Sequence, residues 1–186
     1  MNTSALNTWR EIATKRRLTA ALVAGVVATH IATVTGYWYA IVGLPKLDYN
    51  LFNGILLVPN EKNATIQFVI GGAAHYLTGI CYALIFAFLI HPLLRVANSV
   101  AGNIAKAVGF GLVLATLSAL LWVPRDFPSF NPGFFTNNFG WKFVLGIYVW
   151  HIVYGLHLGA LYSPLPASAA EPAAVRSAAP AATQPV

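Results

Sequence analysis

The sequence predicts an all-α polytopic membrane protein with four transmembrane helices arranged as two parallel-oriented two-helix repeats. Of its 186 residues, 58% are hydrophobic and 9% are charged, whereas soluble proteins carry about 25% charged residues. A bilayer core about 30 Å thick needs about 20 apolar residues per helix, and four segments reach that length. We place these spans at about residues 18–44, 65–90, 103–123 and 141–162. Together they form a transmembrane domain over residues 18–162.

Residues 1–17 are expected to form a cytoplasmic N-terminal arm with a short amphipathic helix. Thr3 or Ser4 is a suitable cap, and apolar residues follow at helical spacing. We expect this helix to lie on the membrane surface, where its cluster of Lys15, Arg16 and Arg17 faces anionic lipid head groups. An ordinary basic flank and a specific lipid or partner site both fit this pattern.

A motif of one histidine and two small residues at four-residue intervals occurs twice, as His75, Gly79 and Ala83 in the second span and as His151, Gly155 and Gly159 in the fourth. At this spacing the residues form one stripe on one helix face. Small residues at this interval let helix backbones approach closely in membranes, so we assign the four small residues to helix packing. We expect the second and fourth spans to cross at these stripes in the core, with the first and third spans beside them.

The two long loops also correspond. Residues 44–48 (Leu-Pro-Lys-Leu-Asp) match residues 123–126 (Val-Pro-Arg-Asp), which supports a duplicated chain. Their prolines predict an absence of regular helix. Their many aromatic residues are expected to rest on the bilayer surface or to cap the bundle. Asp48 and Asp126 are expected to be solvated loop charges.

Basic residues are concentrated in the N-terminal arm, the central connection and the tail, namely Arg10, Lys15, Arg16, Arg17, Arg95, Lys106 and Arg176. By the positive-inside rule, both termini are expected to be cytoplasmic and the two long loops to lie outside a bacterial inner membrane. The formal charge of +6 is not gathered on one soluble element, so we do not expect a nucleic-acid partner.

Histidines form the one site-like group in the sequence. His75 and His151 each lie about ten residues into a span, or about 15 Å deep, and His30 reaches a similar depth in the first span. Neutral histidines can bond to threonine, tyrosine or backbone groups. Alternatively, His75 and His151 are candidate axial ligands of haem b. No cofactor at all is also consistent with the sequence.

A copper or zinc site using His30, Cys81 or His157 is a further alternative, since imidazole and thiolate bind these metals. Six helical positions span 600°, so Cys81 and His157 point about 120° away from the stripe histidines. One compact four-ligand site is therefore not expected. No carboxylate lies in a span to support proton transport, and no catalytic motif is present, so we expect a protein that is not an enzyme.

The sequence favours an accessory or scaffold subunit that binds the lipid bilayer and other membrane subunits, or a second copy of itself. A haem- or metal-binding redox protein and a small-solute or proton transporter remain alternatives. Residues 163–186 are rich in alanine and proline and are expected to form a disordered cytoplasmic tail.

The two histidine motifs, together with Tyr154 and Tyr162, resemble a loose group of uncharacterised four-span bacterial inner-membrane proteins. The resemblance covers the two hairpins and not the tail. It implies a four-helix membrane protein, and it supplies no activity and no catalytic residues.

Overall fold

The computed structural model describes residues 3–94 and 99–165, which form helices and connecting segments without a β-strand. The helices are α1 (Thr3–Lys15), α2 (Arg17–Tyr37), α3 (Tyr49–Leu57), α4 (Ala64–Leu93), α5 (Val100–Asp126) and α6 (Trp141–Leu161). Short 3₁₀ helices cover Tyr39–Val42 and Pro128–Phe130, and Phe134–Phe139 forms consecutive turns in which Phe135 and Thr136 have left-handed backbone angles. The central residue Arg95 and the tail from residue 166 onward lie outside the described residues.

Among the described residues, α2, α4, α5 and α6 are long and apolar enough to cross a membrane, which confirms the four-span prediction. The first span ends at Tyr37 rather than near residue 44. Beyond it the chain tightens into a 3₁₀ helix that stops at Gly43, where φ is 74°. We call the end of the bundle formed by residues 38–63 and 127–140 the loop end. The opposite end, which holds α1 and residues 162–165, is the terminal end.

The glycine stripes face the inside of the bundle, each against the spanning helix that precedes it in the chain. Helix α2 packs on both α4 and α6, while α5 packs on α6. A methyl group at Gly25 of α2 would lie 2.9 Å from the Cβ atom of Ala83 in α4. One at Gly155 of α6 would lie 2.6 Å from the carbonyl oxygen of Ala107 in α5. Gly79 likewise faces Thr29 of α2.

The predicted crossing of the second and fourth spans at their stripes is therefore wrong. A stripe of small residues needs a partner surface that is also small, and α2 offers Ala21, Gly25 and Ala28. Helix α6 instead points Trp150 and Tyr154 toward α4. The Tyr154 hydroxyl reaches across to donate to the Gly79 carbonyl at 2.7 Å. Bulky side chains thus separate the two helices that carry the histidines.

The first loop contains a regular helix, α3, so the prediction of irregular loops is wrong here. Pro45 and Pro59 flank α3 rather than interrupt it. Asp48 caps the helix by accepting a hydrogen bond from the Leu51 amide at 3.1 Å. It also pairs with Lys46 at 3.1 Å, and only 8% of it is exposed. Asp48 is therefore a structural residue and not a solvated loop charge.

Helix α3 is held against the beginning of α4 by two facing glycines. A side chain at Gly54 would overlap the backbone of Gln67, and one at Gly71 would overlap the backbone of Asn50 and Gly54. This close approach carries Tyr49, the first residue of α3, down beside α4, where its hydroxyl oxygen is buried.

Two π-helical turns occur in the described part of the chain, and each ends two residues before a proline. Phe86–Ile90 precedes Pro92 in α4, and Ser118–Trp122 precedes Pro124 in α5. Proline has no amide hydrogen and its ring crowds the preceding turn. In π-helical bonding, the carbonyl five residues before the proline therefore loses its backbone donor.

Side chains from distant segments bond to both of these carbonyl groups, which belong to fully buried alanines. The Ala87 carbonyl accepts from the Arg17 guanidinium at 2.9 Å and from the Tyr162 hydroxyl at 3.3 Å. The Ala119 carbonyl accepts from the Thr136 hydroxyl at 2.6 Å. Each π-turn thereby ties its helix to another part of the chain. Arg17, expected at the lipid surface, is exposed and also donates this hydrogen bond to the protein.

At the terminal end, α1 packs on the residues that follow α6. Trp9 donates through Nε1 to the Leu161 carbonyl at 2.6 Å, and Arg10 donates to the Ser163 carbonyl at 3.1 Å. Ser163 is fully buried, and its hydroxyl accepts from Asn103 at 3.0 Å. The tail boundary at residue 163 is therefore wrong for residues 163–165, because α1 and α5 supply hydrogen bonds that order them.

Candidate ligand-binding cavity

A cavity of about 560 Å³ opens at the loop end between α3, α4, α5 and α6. Its walls are largely aromatic and are formed by Tyr49, Phe52, Tyr82, Trp122, Phe127, Phe130, Phe139, Phe143 and Trp150. Several loop residues that were expected to rest on the bilayer surface or to cap the bundle line this cavity. The volume lies within the range of about 300–1,000 Å³ that is typical of small-molecule sites.

The deep part of the cavity contains His75 and His151, which are 7% and 5% exposed. At about 1.5 Å per residue they lie roughly 15 to 17 Å from the first residues of α4 and α6. The Trp150 ring contacts both imidazoles, with ring centroids 5.3 Å from His75 and 5.0 Å from His151. Tyr49 stacks on His75 at 5.5 Å. The structure thus brings together the two histidines that the sequence singled out.

The hydrogen bonds of His75 assign its proton. The Thr33 hydroxyl donates its one hydrogen to the Thr29 carbonyl, 2.7 Å away. The Thr33 oxygen must therefore accept from Nε2 of His75, which lies 3.0 Å from it. Nε2 carries the proton, and Nδ1 is left with a lone pair.

His151 is assigned in the same way. Its Nδ1 lies 2.8 Å from the Ile147 carbonyl oxygen, and since a carbonyl can only accept, Nδ1 carries the proton. Nε2 is left with a lone pair. Within residues 3–94 and 99–165, no hydrogen bond reaches Nε2 of His151 or Nδ1 of His75. The two imidazoles therefore present acceptor nitrogens at the cavity floor.

Among the other polar groups along the walls, Asn53, Tyr82 and Ser118 are neutral and can donate or accept hydrogen bonds. The Thr78 hydroxyl donates to the Ala74 carbonyl at 2.9 Å, so it presents an oxygen lone pair to the cavity. Arg125 and Asp126 line the loop end of the cavity and bond to each other at 2.7 Å. The expectation that Asp126 is a simple solvated charge is thus modified, because it forms half of a neutral pair.

Two buried polar atoms beside the imidazoles lack a hydrogen-bond partner in the described structure, namely the Tyr49 hydroxyl oxygen and Nε1 of Trp150. Burial raises the pKa of Tyr49 above its ordinary value of 10.0, so its hydroxyl stays protonated. An unsatisfied buried polar group costs about 1–3 kcal/mol. Both belong to side chains that line the cavity, but the polar atoms themselves are buried in the surrounding protein and do not face it.

One side of the cavity is closed by aromatic rings rather than by close backbone packing. Tyr82 of α4 stacks on Trp122 of α5 with ring centroids 5.9 Å apart. Below this pair, Phe86 contacts Phe110 at 5.9 Å. The pairs α2–α4 and α5–α6 instead meet at glycines. The side between α4 and α5 is therefore closed by side chains and not by close backbone contact.

The remaining predicted ligands lie away from the cavity. Nδ1 of His30 is hydrogen-bonded to the Tyr76 hydroxyl at 2.6 Å, Cys81 is exposed, and Nδ1 of His157 donates to the Val153 carbonyl at 2.8 Å. The described residues contain no group of three or more histidine, cysteine, aspartate or glutamate side chains placed to hold one metal ion. The helical rotation of about 120° between residues six positions apart accounts for the separation of Cys81 and His157 from the cavity histidines. His30 lies on a different helix, α2.

Sequence reasoning missed Tyr49, Tyr82, Trp122 and Trp150 as members of the site. A signal existed for Trp150, which directly precedes His151 and lies four residues before Tyr154 on one helix face. Tyr49 follows the capping residue of a helix that the prolines had argued against. Comparisons with protein-family models, curated proteins and solved structures found no match for this chain. The site is therefore interpreted from its own geometry.

Proposed function

We propose that this protein is a non-enzymatic integral membrane subunit that binds a lipid-soluble small molecule in the cavity between α3, α4, α5 and α6. The observation that carries this proposal is the aromatic cavity of about 560 Å³ with two lone-pair imidazoles at its floor. Aromatic walls favour an apolar ligand, while a small number of fixed polar groups orients it.

Access from the membrane supports a lipid-soluble ligand. The α4–α5 side is closed by the Tyr82–Trp122 stack, and both helices are apolar enough to face acyl chains. A ligand dissolved in the bilayer would reach the histidines by displacing this pair. We place the loop end outside a bacterial inner membrane, because basic residues such as Arg10, Arg17 and Lys106 lie toward the terminal end.

A cavity-filling variant tests the proposal. Ala74 lines the cavity, whereas its neighbour Ala73 is exposed on the outside of α4. Native mass spectrometry of protein extracted in mild detergent should show a bound small molecule in the wild type and in Ala73→Trp. It should be lost in Ala74→Trp. Retention of the same molecule in Ala74→Trp, or no bound molecule in any of the three, would contradict the proposal.

We also propose that the protein binds to a larger membrane assembly as an accessory subunit. Phe134 and Trp141 at the loop end are 80% and 69% exposed. Exposed aromatic residues are common in protein interfaces and in membrane interfaces. We expect the protein to migrate in mild detergent as part of a larger complex, and Phe134→Ser with Trp141→Ser to release it. Migration only as a small free species would argue against an accessory role.

Haem ligation by His75 and His151 is a second candidate function. It is favoured by the assigned protons, since metal-bound histidines usually donate their other ring N–H to a neighbour and coordinate through the lone pair. The purified protein would then show a Soret band that disappears in His75→Ala and in His151→Ala. A colourless preparation that binds no added haemin would remove this candidate. Solute or proton transport remains a prediction, tested by histidine-dependent flux in proteoliposomes.

A further inference from the structure

This inference rests on the proposed function and concerns the chemical class of the ligand. We propose that the cavity selects a neutral aromatic ring bearing two hydroxyl groups, as in an alkylated hydroquinone, over the same ring without hydroxyl hydrogens. The ligand would donate one hydrogen bond to Nδ1 of His75 and the other to Nε2 of His151.

The selectivity follows from the fixed protons of the floor. Nε2 of His75 is committed to Thr33 and Nδ1 of His151 is committed to Ile147, so both remaining nitrogens can only accept. Thr78 adds a further acceptor because its own hydrogen is used by Ala74. A ligand carbonyl or ether oxygen would meet lone pairs here, whereas a hydroxyl group would meet its hydrogen-bond partners.

Charged ligands do not fit the same site. A cation would need a carboxylate at the floor, and among the described residues the nearest acidic lining group is Asp126, which is already paired with Arg125 at the loop end. An anion would need an unpaired positive charge or donors beside the imidazoles, and there Tyr49 and Trp150 have their polar atoms sealed by surrounding protein. Other side-chain donors of the lining include the neutral Asn53, Tyr82 and Ser118, and Arg125, whose charge is paired with Asp126. Placing an uncompensated charge in an apolar site is costly. A neutral donor is the class that remains.

An aromatic body is favoured by the walls. Trp150 and Tyr49 already contact the histidines, while Phe52 and Phe143 line the space above them. Flat rings pack against such surfaces in stacked or edge-on contacts. An alkyl tail would leave between Tyr82 and Trp122 toward the acyl chains.

The experiment uses the full chain in lipid nanodiscs. Decylhydroquinone and its dimethyl ether share a ring and a tail but differ in hydrogen-bond donors. Binding is measured as saturable quenching of tryptophan fluorescence, since Trp122 and Trp150 line the cavity. Loss of two neutral hydrogen bonds should make the ether bind roughly 30-fold more weakly than the hydroquinone.

Variants assign this preference to the two histidines. His75→Phe and His151→Phe should each reduce the preference for the hydroquinone several-fold and should leave ether binding nearly unchanged. The matched control is His157→Phe. His157 also lies in α6 and bonds to the carbonyl four residues before it, but it does not line the cavity. This variant should keep the full preference.

The possible outcomes separate the inference from the proposed function. Equal binding of the hydroquinone and its ether by the wild type overturns the inference, although the cavity would still hold a lipid-soluble molecule. A preference that survives in both floor variants, or that is lost in His157→Phe, also overturns it. Saturable binding of neither probe contradicts the proposed function itself. The comparison of the two probes on the wild-type protein can overturn the inference by itself. The inference therefore stays testable even if a variant folds poorly.

Discussion

Replacing Thr136 by valine should destabilise the protein through one buried carbonyl group. Thr136 is fully buried, has a φ of 60° in the left-handed region, and donates its hydroxyl hydrogen to the Ala119 carbonyl at 2.6 Å. A β-branched residue in this conformation costs on the order of 1–3 kcal/mol. The hydroxyl is the reason for threonine here, because the π-turn before Pro124 leaves Ala119 without a backbone donor.

The size of the effect follows from that geometry. Valine has nearly the same shape as threonine and is also β-branched, so Thr136→Val leaves the backbone strain and the packing nearly unchanged. It removes the one side-chain donor to a carbonyl group that belongs to a fully buried residue. An unsatisfied buried acceptor costs about 1–3 kcal/mol, and we expect the free energy of unfolding to fall by this amount.

A second substitution tests the cause. Pro124→Ala restores an amide hydrogen that can bond to the Ala119 carbonyl, so Thr136→Val should cost at least about 1 kcal/mol less in that background. Unfolding is followed by tryptophan fluorescence during titration with SDS in mixed micelles, for the wild type, both single variants and the double variant. Equal penalties in the two backgrounds would refute the assigned role of the proline. A penalty near zero in the wild-type background would refute the role of the hydroxyl group.

Three further predictions concern packing, pH and the polar cluster at the terminal end. Gly155→Ala should lower the free energy of unfolding by about 1–3 kcal/mol because its methyl group meets the Ala107 carbonyl at 2.6 Å. In the same SDS assay Gly109→Ala, with nothing within 4 Å, should raise it by up to about 1 kcal/mol. Burial raises the pKa of Tyr39 above its ordinary value of 10.0. The stability that its protonated hydroxyl contributes is therefore complete below pH 10 and is lost as the pH rises further. Unfolding titrations at pH 9 and 11 would show this loss. Asn103→Leu should lower the free energy of unfolding by at least about 2 kcal/mol, because it leaves the buried His91 and Ser163 side chains without their hydrogen-bond partner. SDS titration measures this change, and an unchanged midpoint would contradict it.

The four spans and the inward-facing stripes could be predicted because they depend on local periodicity and on the length of a bilayer crossing. The spacing of Gly155 and Gly159 predicts close contact with another helix but does not predict which helix. Which helix becomes that neighbour depends on the shapes of the facing surfaces, and the sequence alone does not show which surfaces face each other. Trp150 and Tyr154 kept α4 away from that position, which α5 occupies at Asn103 and Ala107, while α2 packs on the stripe of α4 with its own small residues.

The loop helix and the cavity could not be predicted from local signals. Pro45 and Pro59 correctly indicated breaks in helix, but the capping residue Asp48 between them was interpreted as a solvated charge. The close contact of Gly54 with Gly71 joins residues distant in sequence and places Tyr49 against His75. The histidine depths were predictable from helical rise alone. The protonated nitrogens were not, because Thr33 and Ile147 assign them only once the helices are packed.

The π-turn in α5 connects this packing to the proposed binding site. An extra residue in one helical turn rotates everything beyond it by about 100° relative to a regular helix. The turn spans Ser118–Trp122, and its first and last residues both line the cavity. Trp122, the last residue of this turn, stacks on Tyr82 and forms the aromatic closure between α4 and α5. The same turn, two residues before Pro124, therefore both requires the Thr136 hydrogen bond and carries the side chain that a ligand entering from the membrane would displace.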